Sequence, residues 1–224
     1  MHKSLRKTSA FLALSLFIGM AGPALTPASA QTLNEATAPE QAQQTSAGKF
    51  IQDLGNKAIA IITDKSLTQE QRADKYREIL RKAFDIPAIG RFVLGRAWNT
   101  ATPQQQQDYL NLFQSLVVKI YGDRLSLYYG EKFHVTGVRQ ENEKDVVVNS
   151  EIDHPGGVQP TSVDWRLHQN NGQLSIIDVT VEGISQSITQ RQEYASILER
   201  NNGSIDALLD MMRERLQSFS KPNS

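Results

Sequence analysis

Apart from His2, the chain has three histidines, His134, His154 and His168. Imidazole is the side chain best suited to proton transfer and metal ligation near neutral pH. A metal site needs several ligating groups at helix or strand spacing. His134 and His168 fall at outward positions of alternating segments, and His154 stands in the turn sequence Asp153-His154-Pro155-Gly156-Gly157. Asp153 and His154 are adjacent and point different ways, so no metal site is expected. Nucleophilic serine chemistry often carries a Gly-x-Ser-x-Gly elbow. Gly183-Ile184-Ser185 follows a strand-like segment and precedes a helical one, but lacks the second glycine. A turn at Gly183, with Ser185 or Ser187 capping the next helix, accounts for it. The chain has no cysteine, which removes thiol catalysis, thiolate-bound metal and disulfides together. No phosphate-cradling glycine loop of the Walker or dinucleotide type is present. Neither catalysis nor a cofactor is expected.

The N-terminus reads as an address rather than as fold. Lys3, Arg6 and Lys7 precede an apolar run from Phe11 to Met20, and Ala28-Ser29-Ala30 has the small-x-small pattern of a signal-peptidase site. A secretory signal peptide over residues 1–30, cleaved after Ala30, is expected to send the mature chain out of the cytoplasm. Residues 31–47 hold one large apolar residue, Leu33, and are expected to be a disordered lead-in. One domain over 48–219 and a short tail, 220–224, follow. The full chain balances 24 Lys and Arg against 24 Asp and Glu, so losing the three leader cations leaves it weakly acidic. Nucleic-acid binding rests on cations neutralising phosphates and is not expected.

The elements follow from periodicity. Phe50, Ile51, Leu54, Ala58, Ile61 and Ile62 recur at helical spacing. Thr68-Gln69-Glu70-Gln71 resembles a capping box, opening a helix with Tyr76, Ile79, Leu80, Ala83 and Phe84 on one face. Asp85-Ile86-Pro87 starts a short helix that stops near Gly95. Thr102-Pro103 opens the longest helix, running to about Tyr128. From Gly130 the period becomes two. Four strands are predicted, the last two joined by a hairpin turn at Asn170-Asn171-Gly172 and the fourth spanning Gln173 to Val181. Helix returns through Tyr194 and Leu198, halts at Asn201-Asn202-Gly203 and restarts at Ser204. The fold class is α+β: a four-stranded curled antiparallel sheet with helices packed on one face, enclosing an apolar pocket.

The aromatic residues are unevenly placed. Phe84, Phe92, Trp98, Tyr109, Phe113, Tyr121, Tyr128, Tyr129, Phe133 and Trp165 all fall between residues 84 and 165. They are assigned to the long helix and the strands facing it, either as an ordinary aromatic core or as the walls of a wide apolar cavity.

Phe92-Val93-Leu94-Gly95-Arg96-Ala97-Trp98, Ala101-Thr102-Pro103-Gln104-Gln105, then Tyr109, Phe113, Leu116 and Tyr121-Gly122 form an ordered pattern. Asp178-Val179-Thr180-Val181-Glu182-Gly183-Ile184-Ser185, Arg191, Tyr194, Ile197 and Gly203-Ser204-Ile205-Asp206-Ala207-Leu208 continue it. Over about residues 48 to 217 the chain resembles the MlaC family, the periplasmic lipid carriers of the Mla ABC transport system, also called toluene-tolerance auxiliary proteins. The resemblance implies a deep pocket for phospholipid acyl chains with the head group at its mouth. It implies as partners an inner-membrane Mla ABC transporter complex and an outer-membrane Mla lipoprotein complex. The lipid-binding candidates are Phe92, Trp98, Tyr109, Phe113, Val117, Tyr121, Leu125, Phe133, Val135, Val146, Val148, Val163, Trp165, Leu167 and Val179. Lys132, Arg139, Lys144, Arg166 and Arg191 are candidates for a cationic rim. A hopanoid-associated carrier of the same family, or a secreted lipid hydrolase centred on Ser185 or His134, is the alternative.

Overall fold

The computed structural model describes residues 45–125 and 132–219. The expected signal peptide, the expected lead-in up to residue 44, Tyr128, Tyr129 and the tail 220–224 lie outside the described residues. Among the described residues, no helix is long and apolar enough to cross a membrane.

Helix α1 (Ser46–Thr63) begins two residues before the expected domain start. The Thr45 hydroxyl accepts the Gly48 amide at 2.9 Å, and Ala47 is small enough to be buried. Helix α2 (Gln69–Ala83) opens on the expected capping box. Gln71 N–H donates to Thr68 Oγ1 at 3.2 Å, and Thr68 N–H donates to Gln71 Oε1 at 2.8 Å. Tyr76 ties the two helices by donating its hydroxyl to Ala58 O at 2.9 Å.

Helix α3 (Ile86–Leu94) is capped by Asp85, with Pro87 in its first turn, where a missing N–H costs nothing. It ends at Gly95, whose φ of +62° suits a residue without Cβ. A single 3-10 turn (Gly95–Asn99) leads to α4 (Pro103–Leu125). Tyr109 on α4 donates to Gly90 O on α3 at 3.0 Å. The two helices cross so closely that a Cβ at Gly90 would lie 2.9 Å from the Leu110 side chain.

The strands are β1 (Lys132–Gln140), β2 (Asp145–Asp153), β3 (Thr161–Asn170) and β4 (Gln173–Val181), paired antiparallel in sequence order. Asn171 and Gly172 both have positive φ at the β3–β4 turn, as the hairpin requires. Four strands were expected; a fifth, β5 (Ile184–Ser185), adds two residues to the free edge of β4. The turn at Gly183 that brings the chain back lays these residues beside Thr180 and Val181, forming a short ladder rather than a bare loop. Ser185 then caps helix α5 (Gln186–Arg200), as expected, and Ser204 caps α6 (Ile205–Ser218).

The molecule has two main hydrophobic cores. One lies among helices and gathers Val93, Tyr109, Phe113, Leu116, Tyr194, Leu208 and Met212. The other lies between the inner face of the sheet and α1, and gathers Ile51, Val135, Val146, Val148, Leu167 and Ile176.

Candidate functional site

The inner face of the sheet is built by alternation. Val135 on β1, Val146 and Val148 on β2, Leu167 on β3 and Ile176 on β4 all point the same way and are buried. The register explains the continuity: Val148 pairs with Trp165, Val146 with Leu167, and Trp165 with Val179. A shift between Arg166 and Leu167 re-aims β4 so that Ile176 stands opposite Leu167. Helix α1 covers this face with Ile51, Phe50 and Leu54, and the end of α2 adds Ala83 and Phe84.

Two contacts fix α1 on the sheet. A Cβ at Gly55 would lie 2.2 Å from the Phe133 ring, so glycine is what allows the helix to sit this low over β1. Gln52 then completes the edge of β1: its Oε1 accepts the Val135 amide at 3.0 Å and its Nε2 donates to Phe133 O at 3.3 Å. A side chain thus replaces the neighbouring strand that an edge lacks.

Polar groups on the inner face are paired internally. Ser150 is buried and donates to Val163 O at 2.8 Å, while Trp165 Nε1 donates to Ser150 Oγ at 2.9 Å. This fixes the indole, which meets Phe133 edge-on at 6.3 Å between centroids.

The expected site residues therefore divide. Phe133, Val135, Val146, Val148, Trp165, Leu167 and Val179 come together at the sheet face. Val163 is buried on the same strand as Trp165. Trp98, Tyr109, Phe113 and Val117 belong instead to the helical core. Helix α4 lies against α2, α3 and α6, so its aromatic residues do not face the strands. Tyr121 is 36% exposed. Leu125 closes α4, where the side chain lies outside the described residues. Phe92 is 45% exposed and belongs to a surface cluster: the Arg191 guanidinium lies 4.9 Å from its ring centroid, and Arg191 Nη1 donates to Phe92 O at 3.0 Å. Its position on the solvent side of α3 follows from the helix burying Val93 and Leu94.

Ile51, Leu54, Ala83, Ser150 and Ile176 lie at this face but are not among the lipid-binding candidates, and Phe84 was expected only on a helix face and among the clustered aromatic residues. The apolar stripe of α1 was legible, but nothing in a periodic pattern says which surface a helix covers.

Two of the rim candidates make specific contacts. Arg166 is on the outer face, bonded to Glu141 at 2.8 Å and Asp145 at 3.1 Å, whereas Arg191 lies over Phe92. Burial alone would raise the Asp145 carboxyl, but hydrogen bonds from His168, Asn142 and Arg166 outweigh it and hold the group below its ordinary value. His134 also faces outward, 3.6 Å from Glu151 through Nε2 and 3.5 Å from Asp153 through Nδ1. These three are the described residues grouped closely enough to suggest an ion site. The two carboxylates address opposite ring nitrogens. Ser185 donates to Asp178 at 2.6 Å and accepts the Ile188 amide at 3.1 Å, with the Ser187 hydroxyl at 3.4 Å.

A family model described as MlaC protein matches residues 52–214. The chain belongs to the MlaC family. Among curated relatives, it is 24% identical over 139 residues to the toluene tolerance protein ttg2D of Pseudomonas putida, a match covering 61% of this chain and 64% of that one. It is 22% identical over 186 residues to the intermembrane phospholipid transport system binding protein MlaC of Haemophilus influenzae, covering 80% and 85%. Among solved structures, a phospholipid-binding protein from Ralstonia solanacearum in complex with a phospholipid matches with a TM-score of 0.69 at 21% identity. That match covers 79% of this chain and all of the other, and at this identity the likeness is one of fold.

Proposed function

We propose that this MlaC-family protein is a periplasmic lipid carrier, not an enzyme, that shelters phospholipid acyl chains between α1 and the inner face of the sheet. The observation that carries the reading is the continuous apolar surface from Val135 to Ile176, covered chiefly by one helix, in a chain of this family. The phospholipid bound by the Ralstonia structural relative supports the ligand class. Each methylene exposed to water costs about 0.8 kcal/mol, so one long acyl chain costs roughly 12 kcal/mol to carry through water unsheltered. A carrier needs an apolar wall of that extent and no reacting group. Val148, Leu167 and Ile176 are fully covered in this structure, so a chain enters only as the elements packed on them part from the strands. The carrier passes lipid between an inner-membrane Mla transporter complex and an outer-membrane Mla lipoprotein complex, which maintains outer-membrane lipid asymmetry.

Mass spectrometry of organic extracts tests this, using protein purified from the periplasm without detergent. Near-stoichiometric phospholipid is expected. Hopanoid in its place would assign the protein to a hopanoid-associated branch. A clean extract, repeated after incubation with liposomes, would contradict carriage. Release of free fatty acid that stops in Ser185→Ala would make the protein a hydrolase.

A further inference from the structure

A groove of about 560 Å³ runs between α2, α4 and α6, on helices outside the sheet core. Arg77 and Arg81 lie on its α2 wall and Asn111, Gln114 and Lys119 on its α4 wall. No carboxylate is among its lining residues, in a chain whose cations and carboxylates are otherwise equal in number.

The amides and the hydroxyl of the lining can donate as well as accept. Asn111 Oδ1 already accepts from Gln107 Nε2 at 3.1 Å, which leaves the amide NH₂ as its unspent end. The Ser115 hydroxyl donates back to Asn111 O at 2.8 Å. Arg77 pairs with Asp74, on its own helix. Arg81 has no carboxylate partner among the described residues, and its guanidinium offers a planar fork of donors. The groove therefore brings the Arg81 guanidinium beside the amide of Asn111 and the amide of Gln114, with no carboxylate in its lining.

We propose that this groove binds a phosphate-bearing anion, at a site separate from the acyl-chain surface. Two sources share that chemistry: a soluble organophosphate, and the phosphodiester head group of an anionic lipid at a membrane surface. The groove's lining shares no residue with the inner sheet core, so its loss leaves the acyl-chain surface intact.

The test is calorimetric titration with glycerol phosphate at low ionic strength, run beside co-sedimentation with vesicles of phosphatidylglycerol or of phosphatidylcholine. Arg81→Gln should weaken binding about tenfold, the effect of losing one charge-assisted hydrogen bond. Lys82→Gln should leave binding unchanged, because Lys82 is exposed, pairs with Glu78 at 2.6 Å and lies outside the groove lining. Gln114→Ala, on the facing helix, gives an independent reading. Arg81-dependent binding of glycerol phosphate supports a soluble ligand. Arg81-dependent binding to phosphatidylglycerol vesicles alone supports the head-group source. No binding of either probe, or equal binding in Arg81→Gln and Lys82→Gln, would overturn the proposal. Lipid extracted from Arg81→Gln protein separates this outcome from failure of the acyl-chain reading.

Discussion

Single residues set how closely the covering helix approaches the sheet. At Gly55 an added methyl meets the Phe133 ring, and that ring cannot simply swing aside because Trp165 packs against it. Gly55→Ala should therefore destabilise the protein by about 1–3 kcal/mol, the usual penalty for overpacking a filled core. A urea melt reads the loss as a lower midpoint at unchanged slope. An unaltered midpoint would mean that α1 can shift outward without cost. Little at this scale was legible beforehand. Nothing local explains a glycine within a helix at Gly55, since its reason lies 78 positions away at Phe133. Trp165 was correctly placed inward, but its partner Ser150 was invisible as part of an apolar face.

Elements were more legible, because each is decided by local pattern. The capping box at Thr68, the Asp85–Pro87 helix entry, the Asn171-Gly172 turn and the Ser204 restart each carry their signal within a few residues, and the structure has all four. The placement of α4 was not legible. Its apolar residues announce a buried helix, but helices and strands both offer apolar faces, and α4 is buried against other helices. The β4 irregularity was equally hidden, because strict alternation has no means of announcing a bulge.

Two predictions belong to this scale. Gln52→Ala strips the edge of β1 of one acceptor and one donor, and should cost about 1–2 kcal/mol while speeding amide exchange at Val135. Unchanged exchange there would show that the clasp is incidental. On the outer face, the lowered Asp145 carboxyl links β2 to β3 through Arg166 and His168. A group depressed in the folded state contributes stability above its unfolded value, near pH 4, and loses it as pH falls through the lower folded value. Asp145→Asn should therefore flatten the loss of stability below about pH 4, followed by thermal melts across that range.

The whole molecule is two main cores joined through α2 and the start of α3. Phe84 bridges Ile176 in a single parallel pair and packs against both cores, and the Asp85 amide donates to Ile176 O at 3.0 Å. Burial raises the phenols of Tyr109 and Tyr194 in the helical core, and that of Tyr76 beside α1 to about 12. A raised phenol contributes stability below its unfolded value, near pH 10, and loses it as pH climbs through the folded value. Ultraviolet titration should find these tyrosines un-ionised at pH 10.5 and ionising together as the protein unfolds. Early titration of all the tyrosines would mean that the helical core is open to water. The order of helices, strands and helices was readable from period alone. The division into two cores was not, because it depends on which apolar faces meet.

That division allows the central claim to be tested with intrinsic probes. The chain has two tryptophans, Trp98 against the helical core and Trp165 at the sheet face. Each can be isolated by changing the other to Phe, and the protein loaded with a phospholipid carrying brominated acyl chains. Bromine quenches indole fluorescence only at short range. The account predicts strong quenching of Trp165 in Trp98→Phe protein and little quenching of Trp98 in Trp165→Phe protein. Quenching of Trp98 with Trp165 left bright would place the acyl chains in the helical core and contradict the account.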